Sequence, residues 1–170
     1  EDISKTIINS GDAPYSPNWN RTNQEWRNMH GFAALKEDGS VVSWGSDYLL
    51  GFEDAGIIGS KDIVEELSGG VRQIFSSQNA FAALKEDGSV VTWGSDSSGG
   101  DSSSVSSKLV TGVTKIFSSQ HTFAALKEDG SVVTWGGNSS DFDEVSNNLT
   151  SDVADIFSSQ NAFAALKEDG

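Results

Sequence analysis

The sequence predicts an all-β chain, built as a propeller-type repeat array of small antiparallel sheets with three to four strands each. Three observations predict it. The eight residues FAALKEDG occur four times, beginning at Phe32, Phe81, Phe123 and Phe163, so a unit returns every 40 to 49 residues. Periods of that size belong to solenoids and propellers. The apolar runs around each copy are short and rich in Val, Ile and aromatic residues, which suits strands. Between the runs lie Ser, Asn, Asp and 18 glycines, a turn-forming composition that leaves little room for long helices.

Residues 1–23 do not match the repeat and form a leader. Within it, KTIIN at Lys5–Asn9 is a candidate strand, and APYSPNWN is a loop punctuated by proline. The leader is expected to cover the open edge of the first sheet. The repeats then run over 24–69, 70–111 and 112–151, with a partial unit at 152–170. In the first repeat, Trp26 aligns with Phe75, Phe117 and Phe157 of the later ones. The linker after Trp44 is longer and more apolar than its counterparts, and KDIVEEL at Lys61–Leu67 reads as one or two helical turns. In the regular repeats, VRQIF or VTKIF is a first strand, FAAL a second and SVVTW a third. The segment KEDGS joins the last two, and its Asp-Gly pair suits a tight hairpin. Strand alternation puts Val132 and Thr134 on one face and Val133 and Trp135 on the other. Paired alanines such as Ala124 and Ala125 allow sheets to approach closely. The Ser/Asn/Asp-rich linkers read as a short fourth strand or a loop. A three- or four-stranded sheet cannot cover both of its faces, so the units must stack. Their expected core residues are Trp26, Trp44, Phe75, Trp93, Phe117, Trp135 and Phe157, with each Trp able to bury about 150–250 Å².

The stretch HTFAALKEDGSVVTWG at His121–Gly136, preceded by VTKIF, resembles the repeat of the regulator of chromosome condensation family. That repeat runs V-x-x-I, a short gap, H-[ST]-x-A-L, an Asp-Gly turn and V-x-x-W-G. The flavour is bacterial, similar to secreted propeller inhibitors of beta-lactamase and to surface-protein repeats. The resemblance extends over residues 25–170 and implies four-stranded blades in a propeller, usually of seven. Two features depart from it. Ser118–Ser119 stand where the family often has Gly before the His, and the family's Gly-Gln-Leu-Gly after Trp-Gly is absent. The family's His position is filled by His30, Asn79, His121 and Asn161, so a role tied to that His is not uniform along the chain.

Charge and composition exclude several functions. A formal net charge of -14 repels phosphate backbones and anionic lipid, so nucleic acid is not an expected partner. The chain has no Cys, which removes disulfides and thiolate chemistry. It has no apolar run of membrane-spanning length and no signal-peptide pattern. Because it starts at Glu1 and stops inside a repeat unit, the expectation is a piece of a longer protein. Closure with a second chain ranks next, as a homodimer, and a partial curved stack follows. An extracellular or cell-surface setting goes with the bacterial resemblance.

No catalytic constellation is legible. His30 and His121 occupy equivalent positions, and the serines are spread through the linkers. Repetition itself argues against catalysis, which needs different groups placed asymmetrically. Acidic loops make Asp96, Asp101, Asp141 and Asp143 candidate calcium ligands, against the plainer reading of solvated loops. Otherwise no cofactor is expected. The sequons at Asn20, Asn138 and Asn148 matter only in a eukaryotic secretory setting. Tyr15, Trp19 and Tyr48 lie off the regular core positions and are candidate contacts for a protein or a glycan. The expected function is a non-catalytic repeat scaffold for protein or glycan binding or adhesion. The alternatives are a dedicated protein inhibitor or regulator and, last, a hydrolase or lyase.

Overall fold

The computed structural model describes residues 7–8, 31–45, 61–137 and 149–170. The described residues form four antiparallel sheets in sequence order. The first joins β1 (Ile7–Ile8), β2 (Gly31–Leu35) and β3 (Val41–Gly45). After the short helix α1 (Lys61–Glu66), the second sheet joins β4 (Val71–Ser76), β5 (Ala80–Lys85) and β6 (Val90–Gly94). The third joins β7 (Val113–Ser118), β8 (Thr122–Lys127) and β9 (Val132–Gly136). The fourth pairs β10 (Val153–Ser158) with β11 (Phe163–Lys167). Three-stranded sheets and the helical turn at Lys61–Glu66 follow the sequence pattern. The linker between β6 and β7 makes two 3-10 turns, at Asp96–Ser98 and Ser103–Lys108, in place of a fourth strand.

Identical sequence produces identical register. Phe81 lies opposite Trp93, and Phe123 opposite Trp135. In each pair the rings stack, with centroids 5.3 Å and 5.4 Å apart. The first strands of sheets two, three and four carry the same bulge, between Val71 and Gln73, Val113 and Lys115, and Val153 and Asp155. In the first sheet, Ile7 and Ile8 pair with Ala34 and Ala33 as Ile74 and Phe75 pair with Ala83 and Ala82. The leader therefore supplies the strand that β4, β7 and β10 supply elsewhere. The register position that sequence alignment assigns to Trp26 is held by Ile8. Trp26 itself lies outside the described residues.

The core lies between sheets. One face of sheet two, with Phe81, Ala83, Val91 and Trp93, packs on Ala33 of sheet one together with Leu67. Its other face, with Phe75, Ala82 and Leu84, receives Phe123, Ala125, Val133 and Trp135 of sheet three. Sheet three in turn offers Ala124 and Leu126 to Val153 and Ile156 of sheet four. Val132 and Val133 thus point to opposite interfaces, as alternation requires. Burial of the expected core residues follows position in the stack. Phe75, Trp93 and Trp135 are buried, and Phe117 is half-buried. Trp44 and Phe157 depart from the expectation, at 41% and 56% exposure. Trp44 stands on the front of the first sheet and Phe157 on the back of the last, where no described sheet covers them.

Each sheet is also clasped to the next through the Asp-Gly turn. The N–H groups of Val71, Val113 and Val153 donate to the carbonyls of Gly39, Gly88 and Gly130, each at 3.0 Å. Within each unit, the N–H groups of Glu86, Glu128 and Glu168 donate to the carbonyls of Gly70, Gly112 and Asp152, the residues just before the first strand of the same sheet. Gly70 and Gly112 take left-handed φ values of 71° and 79°, and Asp152 does so with a side chain, at 63°.

Candidate functional site

The repeated segment Phe-Ser-Ser-Gln builds one end of the stack. It recurs unchanged at 75–78, 117–120 and 157–160, and it joins the first and second strands of each sheet. The second serine closes the loop. The N–H of Ser77 donates to the carbonyl of Ala80, and Ala80 N–H donates back to Ser77 Oγ at 3.1 Å. Ser119 with Thr122, and Ser159 with Ala162, repeat this exchange. Ser77 and Ser119 are buried, so their hydroxyls act as fixed parts of the loop rather than as surface groups.

The glutamines then bind the loops to one another. Gln78 N–H donates to the Gln120 carbonyl, and Gln120 N–H to the Gln160 carbonyl, each at 2.9 Å. Their side chains run the opposite way. Gln120 Nε2 donates to Gln78 Oε1 at 2.7 Å, and Gln160 Nε2 to Gln120 Oε1 at 3.0 Å. The three loops form a hydrogen-bonded row, and Asn79, His121 and Asn161 are the next residues along it.

The linker after β6 reaches into this row. Ser77 Oγ donates to the Ser98 carbonyl at 2.7 Å, and Trp135 Nε1 donates to the Gly99 carbonyl at 3.1 Å. Gly99 must be glycine here. Its φ is 92°, and a Cβ would stand 2.6 Å from the Phe123 ring. Ser98 Oγ lies 3.4 Å from His121 Nδ1 and 3.5 Å from Asn79 Nδ2. This brings a serine and a histidine together, a pairing that sequence reasoning did not find. Ser98 is buried, at 1% exposure, and among the described residues no carboxylate bonds His121. The pair anchors the linker to the loops.

The sequence-predicted candidates fall in several places. Asp96 and Asp101 sit at successive 3-10 turns. Asp101 Oδ1 accepts the Ser103 N–H at 2.8 Å, and that bond with the Ser103 hydroxyl holds its carboxyl below the usual range. Among the described residues, no three acidic or histidine side chains gather as metal ligands. Asp141, Asp143, Tyr15, Trp19, Tyr48, His30 and the three sequon asparagines lie outside the described residues. The glutamine row was missed, although the unchanged Phe-Ser-Ser-Gln was a usable signal for it.

No protein-family model matches the chain, and no curated protein matches it in sequence. Likeness appears among solved structures. The ectodomain of the receptor kinase CR4 from Physcomitrella patens is 17% identical, with a TM-score of 0.54, over 84% of this chain and 36% of that one. Human WBSCR16 is 22% identical, with a TM-score of 0.44, over 63% and 32%. Yeast RCC1 (Prp20), solved bound to Kap60, is 21% identical, with a TM-score of 0.44, over 66% and 29%. The chain spans about a third of the length of these proteins. It is an all-β, propeller-type repeat array, and the solved neighbours include RCC1, whose family repeat the sequence resembles.

Proposed function

We propose that the chain is a non-catalytic binding scaffold that presents the row of loops around Asn79, His121 and Asn161 to a protein or glycan partner. One observation carries this reading: the loops are locked in step by the Gln78–Gln120–Gln160 row, so polar side chains recur at fixed intervals on rigid backbone. A row of this kind suits an extended or repetitive partner, because little ordering entropy is lost on contact. Repetition of the same groups favours recognition over catalysis, and the role assigns no cofactor. The resemblance to bacterial surface repeats supports an extracellular or cell-surface setting and an adhesive role within a larger protein.

The test is a glycan array run beside a cross-linking pull-down, on the chain and on an Asn79→Ala, His121→Ala, Asn161→Ala variant. The expected result is a defined ligand whose binding falls at least tenfold in the variant, about 1.4 kcal/mol. Unchanged binding in the variant overturns the assignment of the loops. Turnover of a generic hydrolase substrate that survives purification overturns the non-catalytic reading.

A further inference from the structure

The Asp-Gly pair at each hairpin tip is the point where one sheet clasps the next, and as a dipeptide it is chemically labile. The backbone N of a glycine can attack the carboxyl carbon of the aspartate before it, because the glycine has no side chain to block the approach. Asp38–Gly39, Asp87–Gly88 and Asp129–Gly130 all lie among the described residues, and their aspartates are exposed. In each pair both reacting groups are tied down. The N–H groups of Gly39, Gly88 and Gly130 donate to the carbonyls of Lys36, Lys85 and Lys127, at 3.1, 3.1 and 3.0 Å. Asp87 Oδ1 accepts the Ser89 hydroxyl at 2.6 Å and the Ser89 N–H at 2.9 Å. Ser40 holds Asp38, and Ser131 holds Asp129, in the same way. These bonds aim each carboxyl at the residue after the glycine and keep it ionised, its pKa held below the usual carboxylate range. An ionised carboxyl is a poor electrophile, since ring closure would have to expel oxide instead of water.

We propose that Asp38, Asp87 and Asp129 are latent sites of isoaspartate formation, and that the hydroxyls of Ser40, Ser89 and Ser131 hold the reaction off. The step needs water alone. With the carboxyl protonated, Gly88 N bonds to Asp87 Cγ, the Cγ–OH bond breaks, and the hydroxyl leaves with the amide proton as one water. The cyclic imide then takes up one water at either carbonyl. Opening at the backbone carbonyl leaves the chain running through Cβ and Cγ, which adds one carbon to the backbone between residues 87 and 88. What the change disrupts is the contact between sheets. The Gly88 carbonyl accepts the Val113 N–H at 3.0 Å, and the Asp87 carbonyl accepts the Thr111 hydroxyl at 3.3 Å. The fit has no slack, because a Cβ on Gly88 would stand 2.8 Å from Gly112 N. A lengthened backbone cannot keep Gly88 in this place, so isoaspartate at position 87 unclasps sheet three from sheet two. Gly39 with Val71, and Gly130 with Val153, repeat the arrangement. This inference is independent of the ligand-binding reading.

Ageing of the folded chain at neutral pH and physiological temperature, followed by tryptic mapping of isoaspartate, tests it. The tryptic peptides that begin at Glu37, Glu86 and Glu128 differ downstream, so each site is read separately. Ser89→Ala is expected to form isoaspartate at Asp87 about tenfold faster than wild type, with Asp38 and Asp129 of the same molecule unchanged. Ser89→Thr keeps the hydroxyl and is expected to restore the wild-type rate. In the isolated modified fraction, hydrogen exchange of the Val113 amide is expected to be faster than in the unmodified chain. Equal rates at Asp87 in wild type and Ser89→Ala overturn the role of the serine. Acceleration at all three sites together overturns it too, because general loosening would then be the cause. The wild-type chain supplies a measurement that needs no variant: its folded form is expected to isomerise more slowly at all three sites than its urea-unfolded form. Equal rates in the two forms overturn the protection altogether.

Discussion

Two tryptophans at equivalent positions of successive sheets differ in one hydrogen bond. Trp135 Nε1 reaches the Gly99 carbonyl, while the buried Trp93 Nε1 meets no acceptor among the described residues. Trp135→Phe is expected to cost about 1 kcal/mol more than Trp93→Phe, the net worth of a buried hydrogen bond, and urea unfolding of the two variants measures the difference. Asp152 offers a second comparison. It holds a left-handed backbone that glycine holds at positions 70 and 112. Asp152→Gly is expected to stabilise the chain by about 0.5–1 kcal/mol, since the strain of a side chain there exceeds the flexibility that glycine adds. A rise in the thermal midpoint checks it.

The Asp-Gly hairpins act as elements through their carboxylates. Asp87 Oδ1 accepts both the hydroxyl of Ser89, at 2.6 Å, and its N–H, at 2.9 Å, and Asp38 and Asp129 do the same with Ser40 and Ser131. The serine hydroxyl, then the serine N–H, holds each carboxyl below the usual carboxylate range. A group lowered in the folded state stabilises it above the unfolded value, near about 4, and that contribution is lost as pH falls through the folded value. The combined Ser40→Ala, Ser89→Ala, Ser131→Ala variant is therefore expected to lose less stability on acidification than wild type, read as a shallower fall of the thermal midpoint below that pH. The glutamine row is the other shared element. Gln120 both donates to Gln78 and accepts from Gln160. Gln120→Glu removes the donor and sets a carboxylate against Gln78 Oε1. A loss of about 1–2 kcal/mol is expected at neutral pH, regained on acidification when the carboxyl can donate again, and denaturant titration at two pH values checks this.

At the scale of the whole molecule, position in the stack decides what a residue is worth. Leu84 and Leu166 occupy the same place in the same octapeptide, yet one is fully buried and the other 44% exposed. Leu84→Ala is expected to cost about 2–5 kcal/mol, as for buried leucines generally. Leu166→Ala is expected to cost about 0.5 kcal/mol or less in dilute single chains, as surface substitutions do. Denaturant midpoints of the two variants check the contrast.

Much of the architecture was legible in the residues themselves. Period-two alternation around Asp-Gly turns determined the hairpins of sheets two and three, their register and which faces meet, because turn chemistry and side-chain direction are local. The short helix at Lys61–Glu66 was local in the same way. What only the tertiary structure decided depends on contacts between units distant in sequence. Ile8 lies opposite Ala33, a pairing across 25 residues that no sequence spacing announces. The meeting of Ser98 with His121, and the row from Gln78 to Gln160, arise from residues 23 to 42 positions apart that come together only when sheets stack. The exposure of Trp44 and Phe157 has the same origin. Their sequence context matches that of buried counterparts, and burial is a property of the neighbouring sheet rather than of the residue.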